Sequence, residues 1–117
     1  MFDSLIGFFG TNDLQATDHF YAQILGLPLD KDQGTCRIYR VTGGGMLGFC
    51  RHIEPTGTPR SPIITLVTDD VDGIYQRLVA AGVLVPHPPA VNPKFNIYHF
   101  FVADPNGYTV EVQRFLD

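Results

Sequence analysis

The two halves of this chain carry the same succession of sequence patterns, one copy displaced from the other by about half the chain length. In each copy a short apolar run leads into an amphipathic segment, and further apolar runs joined by a turn signal follow. Solenoid repeats are shorter, about 20 to 50 residues, and occur in more than two copies. The pattern therefore predicts a duplicated supersecondary module, which restricts the possible folds more than any other feature.

One amphipathic helix is predicted in each module, because apolar residues recur at the three- and four-residue spacing of one helical face. These residues are Leu14, Thr17, Tyr21, Ile24 and Leu25 in the first module and Val71, Ile74, Tyr75, Leu78 and Val79 in the second. Short polar side chains that can accept hydrogen bonds from the free N-terminal amides precede each helix, at positions 12–13 and 69–70. A glycine suited to a left-handed C-cap follows each helix, at Gly26 and Gly82.

Strands are predicted in the segments that remain, so that each module reads β-α-β-β-β. In the first module they cover residues 4–9, 28–31, 36–41 and 46–52. In the second they cover residues 63–68, 83–85, 96–103 and 108–115. Each last pair is separated by a turn signal, Gly43-Gly44-Gly45 or Asp104-Pro105-Asn106-Gly107, whose glycines accept the positive φ of tight turns.

The composition fits one compact domain, since the 117 residues are 44% hydrophobic. The net charge of −4, with 8 basic residues, provides no cationic surface for nucleic acid or an anionic membrane. No apolar run reaches the roughly 18 residues of a membrane span and Asp3 stands where a signal peptide is basic, so we expect a cytoplasmic protein. Cys36 and Cys50 form neither a disulfide framework nor a zinc knuckle, which predicts two reduced, buried thiols.

The most specific motif is the run FVADPNGYTVE from Phe101 to Glu111, which accompanies Asp13-Leu14, Phe20-Tyr21 and Leu25-Gly26. With these residues the chain resembles the vicinal oxygen chelate superfamily of glyoxalases, bleomycin-resistance proteins, fosfomycin-resistance enzymes and extradiol dioxygenases. The resemblance implies an α+β fold in which two tandem βαβββ modules form a curved mixed sheet around a cleft. One domain then spans residues 1–117, with modules at about 1–54 and about 62–117.

The resemblance also implies where a divalent metal would be held, on the first and fourth strands of each module. Those positions fall on Ile6, Gly48, Ile63 and Glu111, and only Glu111 has a ligating atom. Catalytic zinc sites generally take three ligands from the protein. We therefore expect no cofactor, and a divalent metal completed by other ligands is the disfavoured alternative.

Strand alternation predicts a second polar feature beside Glu111. Thr109, Glu111 and Gln113 are expected on one face of the last strand, and His99 on the same face of its neighbour. His99 then lies within hydrogen-bonding range of Glu111. The two are candidate catalytic residues, a base oriented by a carboxylate, and the alternative is a satisfied structural pair.

Apolar side chains are expected to form the rest of the cleft, as is typical of small-molecule sites. The candidate ligand-binding residues are Phe8, Ile38, Met46, Gly48, Cys50, Ile63 and Phe101. Gly48 favours an open cavity, because it has no side chain where the superfamily carries a ligand. The proline-rich stretch 85–93 is expected to form a loop over the cleft mouth, with His87 and Lys94 as candidate contacts.

Cys36, Cys50 and His52 are predicted to share one face of the first module's hairpin. Such a set can bind a soft metal or provide an activated thiolate. The alternative is that the cysteines pack as small hydrophobic residues while His52 contacts solvent.

Two classes of function follow from the resemblance and the missing metal ligands. The first is a metal-free protein, similar to the bleomycin-resistance branch, that binds a small and largely apolar molecule. The second is a glyoxalase-type lyase or isomerase that uses Glu111 and His99 for proton transfer. A regulatory or structural protein with a filled cleft is the third possibility, and the resemblance implies a homodimer whose modules pair within one chain or between chains.

Overall fold

The computed structural model describes residues 1–57 and 61–117. The chain divides into two compact units, Met1–Thr56 and Gly57–Asp117, and each contains one four-stranded sheet. The strands of the first unit are β1 (Leu5–Gly10), β2 (Leu29–Asp32), β3 (Cys36–Thr42) and β4 (Gly45–Cys50). Those of the second are β5 (Ile63–Val67), β6 (Ala90–Asn92), β7 (Ile97–Ala103) and β8 (Thr109–Phe115).

The two sheets have the same topology. Their strand orders are β1-β4-β3-β2 and β5-β8-β7-β6, and in both the first strand runs parallel to the fourth while the other neighbours are antiparallel. The predicted duplication and the α+β class are confirmed. Of the residues described, no helix is long and apolar enough to cross a membrane.

The first helix begins where the cap signal predicts and then changes type. Asp13 accepts a hydrogen bond from the amide of Ala16 at 2.9 Å and caps α1 (Leu14–Asp18). A π-helical segment, His19–Ile24, continues α1 directly and ends before Gly26, whose φ is +80°. The segment was predicted as ordinary helix, because apolar periodicity does not separate the two types.

The second helix, α2 (Val71–Ala80), is capped by Asp70 and followed by Gly82 at φ +82°. Val71 and Leu78 are fully buried, as predicted for the apolar face. Val79 was assigned to that face wrongly, since its side chain is 50% exposed. At about 100° per residue it lies on the flank of the buried stripe.

Two strand predictions are wrong. The strand β4 ends at Cys50, so His52 belongs to the turn that follows. No strand forms at residues 83–85; instead β6 (Ala90–Asn92) pairs with β7 inside the proline-rich stretch. A ladder needs backbone N–H groups, and residues 90–92 are the longest run of that stretch free of proline.

Each unit has its own core between its helix and one face of its sheet. In the first unit the ring of Phe49 stacks on Tyr21 at 4.6 Å and on Phe9 at 5.8 Å. In the second, Val110 and Val112 of β8 are buried, so that the alternate residues of β8 belong to the opposite face. That opposite face carries the candidate site.

Candidate functional site

A cavity of about 460 Å³ lies on the second unit, on the sheet face that does not pack against α2. Its apolar lining residues are Ile63, Phe95, Ile97, Phe101 and Phe115. Its polar lining residues are Asn92, His99, Glu111 and Gln113. Strands β5, β7 and β8 therefore bring together four of the predicted site residues: Ile63, His99, Phe101 and Glu111.

His99 and Glu111 form the central contact of this cavity. His99 Nδ1 lies 2.7 Å from Glu111 Oε2, and the two side chains are 15% and 12% exposed. The register places His99 opposite Gln113 and Phe101 opposite Glu111, so the contact runs diagonally across the β7–β8 ladder. The hydrogen-bonding distance expected from strand alternation is present.

Two further side chains bind the Glu111 carboxylate. Thr65 is the partner of Glu111 in the parallel β5–β8 ladder, and its hydroxyl donates to Oε1 at 2.9 Å. The Gln113 amide, oriented to satisfy its neighbours, places its nitrogen 3.1 and 3.2 Å from the two carboxylate oxygens. Glu111 is thus an acceptor for three side chains.

The contacts of Thr65 and Gln113 with Glu111 were not predicted, although strand alternation indicates the strand face of both residues. Thr65 lies two residues after Ile63 and therefore on the same strand face. Gln113 was placed on the correct face but given no partner. The decisive information for Thr65 is its pairing with a residue 46 positions away, which no local pattern reveals.

These hydrogen bonds determine what His99 can offer to a ligand. A carboxylate only accepts, so the proton in the contact with Glu111 belongs to His99 Nδ1. In the neutral ring the other nitrogen, Nε2, then carries a lone pair. The ring is further held edge-on to Phe101, at a centroid distance of 5.1 Å. The cavity accordingly contains one oriented imidazole that can accept a hydrogen bond or a proton.

Asn92 is a second polar residue that the sequence did not single out. Asn92 lines the cavity, and its Oδ1 accepts a hydrogen bond from the Lys94 amide at 3.0 Å, so its side-chain NH₂ is the group of Asn92 that can donate to a ligand. Of the predicted loop contacts, Lys94 places its ammonium 5.3 Å from the ring of Phe95, which lines the cavity. His87 is exposed in the loop before β6.

The first unit has a different arrangement at the equivalent positions. Phe8 pairs with Gly48 in β1–β4 as Thr65 pairs with Glu111 in β5–β8. A Cβ on Gly48 would lie 2.5 Å from two carbons of the Phe8 ring. The expectation that Gly48 leaves an open cavity is therefore wrong, because Phe8 covers it.

The other candidates of the first unit lie on the same face as Phe8. Ile38 is the β3 partner of Gly48 and is buried, while Met46 pairs with Ile6 and is half-buried. These apolar contacts take the place of the polar cluster around Glu111. The duplicated fold thus carries a polar cluster at this position in its second copy only.

Cys36 and Cys50 form a disulfide, so the prediction of two reduced thiols is wrong. The two residues are direct cross-strand partners in β3–β4, and their Cα atoms lie 4.1 Å apart. Both side chains project from the same face of the hairpin, which is what the bond requires. Their burial was predicted correctly.

The residues at the superfamily's metal positions do not fit a divalent ion. Ile6, Gly48 and Ile63 have no donor atom, and both oxygens of Glu111 are engaged by protein donors. Within residues 1–57 and 61–117, no third His, Cys, Asp or Glu stands near enough to complete a site with His99 and Glu111. The chemistry of this cavity is that of an oriented imidazole in an apolar wall.

The family model described as "Glyoxalase/Bleomycin resistance protein/Dioxygenase superfamily" matches residues 6–112. No curated protein matches the sequence significantly.

Several solved structures share the fold. A glyoxalase/bleomycin resistance protein/dioxygenase from Nocardioides is 22% identical, with a TM-score of 0.78 over 100% of this chain and 85% of that chain. A glyoxalase-related enzyme from Fulvimarina pelagi is 23% identical, with a TM-score of 0.76 over 93% and 85% of the two chains. A lactoylglutathione lyase from Agrobacterium tumefaciens is 23% identical, with a TM-score of 0.75 over 94% and 91%.

Proposed function

This chain belongs to the glyoxalase/bleomycin resistance protein/dioxygenase superfamily, and from that premise we propose that its second unit binds a small, largely apolar molecule without a metal ion. The observation that carries the proposal is the His99–Glu111 contact of 2.7 Å at the polar part of an otherwise apolar cavity. A volume of about 460 Å³ lies within the usual range of small-molecule sites, about 300–1,000 Å³.

The polar groups define the chemistry of the ligand. His99 Nε2 accepts a hydrogen bond from a hydroxyl or another weakly acidic group, and the Asn92 amide donates to an oxygen. The phenylalanine rings of the cavity favour a ligand with an aromatic or branched aliphatic group. Burial of apolar surface stabilises binding by about 25 cal/mol per Å². The proposed ligand is therefore a small apolar body that carries one hydroxyl group.

Phenol and toluene form a matched pair of probes for this proposal, because they differ chiefly in the hydroxyl. Titration of ¹⁵N-labelled protein should shift the backbone signals of β7 and β8 with both compounds. Phenol should bind more tightly by about 1 kcal/mol, or roughly fivefold, the net value of one hydrogen bond. His99→Ala should remove this preference.

His19→Ala is the matched control, since His19 is exposed on the first unit and its Nδ1 lies 3.0 Å from Gln23 Oε1. It should leave both affinities unchanged. Equal binding of the two probes by the wild-type protein, or shifts confined to the first unit, would contradict the proposal.

A second candidate is proton transfer at a carbon next to a carbonyl group. It is favoured by the same contact, because Glu111 holds His99 so that Nε2 is the basic atom, and by Asn92, whose amide can donate to a developing enolate oxygen. The name of the Agrobacterium tumefaciens structure makes lactoylglutathione the first compound to test. Deuterium uptake from D₂O into that compound, abolished by His99→Ala, would favour an enzyme over a binding protein.

The proposal includes a homodimer. Phe101 and Phe115 line the cavity and are 43% and 55% exposed, and apolar side chains of this size favour burial at an interface. Light scattering would measure the mass in solution, and Phe115→Glu should lower it to that of one chain if this surface is the interface.

A further inference from the structure

A second cluster of reactive side chains lies on the first unit. The two Sγ atoms of Cys36 and Cys50 and one ring nitrogen of His52 all lie within 4.8 Å of one another. The cysteines are 8% and 2% exposed, whereas His52 is exposed. The superfamily's metal positions include none of these three residues.

The local fold explains why the three atoms meet. Cys36 is the first residue of β3, Cys50 is the last of β4, and the ladder places them side by side. The chain then turns at residues 51–53, where the amide of Ile53 donates to the Cys50 carbonyl at 3.4 Å. That turn brings His52 Nδ1 to 3.9 Å from Cys36 Sγ.

We propose that the reduced form of this chain binds a soft divalent cation, typified by Zn²⁺, through Cys36, Cys50 and His52. Two thiolates and an imidazole are a ligand set that zinc favours, and three protein ligands leave a fourth position for water or another small ligand. The exposure of His52 places that fourth position on the solvent side.

The spacing of the ligand atoms agrees with such a site. Zinc binds sulfur at about 2.3 Å and imidazole nitrogen at about 2.0–2.1 Å, so the ligand atoms of a tetrahedral site lie roughly 3.5–3.8 Å apart. The 3.9 Å from Cys36 Sγ to His52 Nδ1 is already close to that value. The two sulfurs reach it by small χ1 rotations once they are no longer bonded.

Disulfide formation and cation binding exclude each other, because both use the same sulfur electron pairs. Reduction by a dithiol proceeds by exchange: a thiolate attacks one sulfur, the Cys36–Cys50 bond breaks, and a second attack releases the reductant as a cyclic disulfide. The two electrons come from the dithiol, and the chain gains two protons. Both protons are released when the thiolates bind the cation.

The test uses Co²⁺ as a spectroscopic probe on the full chain. Protein reduced with dithiothreitol and desalted without oxygen should bind one Co²⁺ per chain, with thiolate-to-cobalt charge-transfer bands and the visible bands of tetrahedral cobalt. Equimolar Zn²⁺ should bleach both sets of bands. Protein with the disulfide intact should show neither, and alkylation followed by mass spectrometry verifies the thiol count of each sample.

Two kinds of variant separate this site from its surroundings. Cys50→Ser, which leaves Cys36 as the single thiolate, should weaken both Co²⁺ binding and the charge-transfer bands. His52→Ala, which leaves both cysteines and the core intact, should weaken Co²⁺ binding at least tenfold. His99→Ala should change neither, because it belongs to the other cluster. Equal Co²⁺ binding by oxidised and reduced protein, unchanged binding by His52→Ala, or a disulfide that dithiothreitol does not open in the folded chain would overturn the proposal.

Discussion

Replacement of Glu111 by glutamine tests the hydrogen-bond arrangement on which the proposed site depends. The carboxylate accepts from Thr65 at 2.9 Å and from His99 at 2.7 Å, and Gln113 lies within 3.2 Å of both oxygens. Glutamine has nearly the same shape but lacks the charge, and one of its two terminal atoms donates. The Thr65 hydroxyl can turn to accept from that donor, so the remaining oxygen still accepts from His99 Nδ1.

The expected cost follows from the change in bond type. Hydrogen bonds to a charged partner contribute about 1.5–3 kcal/mol and neutral ones about 0.5–1.5 kcal/mol. The His99 contact therefore weakens by about 1 kcal/mol, and the loss of one Gln113 interaction adds up to about 1 kcal/mol. The free energy of unfolding should fall by about 1–2 kcal/mol, which corresponds to about 4–8 °C in Tm for a domain of this size.

Urea denaturation measures the stability, and ¹⁵N chemical shifts of the imidazole report which ring nitrogen carries the proton. His99 should be protonated on Nδ1 in the wild-type protein and in Glu111→Gln, and it should change to the Nε2–H form in Glu111→Ala. Glu54→Gln is the matched control, since Glu54 is exposed, and it should alter stability by less than about 0.5 kcal/mol. A wild-type His99 with its proton on Nε2 would refute the reasoning, because the ring would then have no acceptor for a ligand.

Three further predictions concern stability. The buried Tyr39 hydroxyl donates to Asp18 at 2.8 Å, and burial followed by this hydrogen bond raises the pKa of Tyr39 above its usual value near 10.0. As the pH rises above about 10 the unfolded chain loses this proton before the folded chain does. The free energy of unfolding should therefore fall by up to about 1.4 kcal/mol per pH unit. Urea denaturation at a series of pH values should show a shallower fall for Tyr39→Phe. Gly48→Ala should lower the free energy of unfolding by about 1 kcal/mol, because the new Cβ displaces the Phe8 ring. Phe8→Ala in the same chain should remove that loss. Additive effects of the two substitutions in a double-mutant cycle would contradict the contact. Asp104→Ala should cost about 1–2 kcal/mol in thermal unfolding, because the buried carboxylate accepts from two turn amides at 2.8 and 2.9 Å. A loss below about 0.5 kcal/mol, the range of ordinary surface substitutions, would contradict this role.

Local patterns in the sequence were sufficient for the elements that depend on near neighbours. Asp13 and Asp70 cap the helices within three residues of their partners, and Gly26 and Gly82 follow them with positive φ. Strand alternation likewise assigned His99 and Glu111 to one face, because side-chain direction repeats every two residues. The duplication then predicted the order of elements in both units.

The predictions failed where the outcome depended on a competition between elements. The second strand of the second module was expected directly after α2, at residues 83–85, yet β6 forms at Ala90–Asn92, where backbone N–H groups are available to pair with β7. Val79 has the hydropathy of a core residue, but its place on the helix flank leaves it half exposed. Hydropathy alone does not report which part of a helix meets the sheet.

The sequence by itself determined the repeated βαβββ order, the helix caps and the face shared by His99 and Glu111, because these are set by interactions along one strand, turn or helix. Only the tertiary structure decided that Thr65 donates to Glu111, that Phe8 covers Gly48, and that the two cysteines are bonded. Each of these depends on the register of strands far apart in the chain and on which side chain occupies a shared space. Register follows from the packing of each whole sheet, and no window of neighbouring residues contains it.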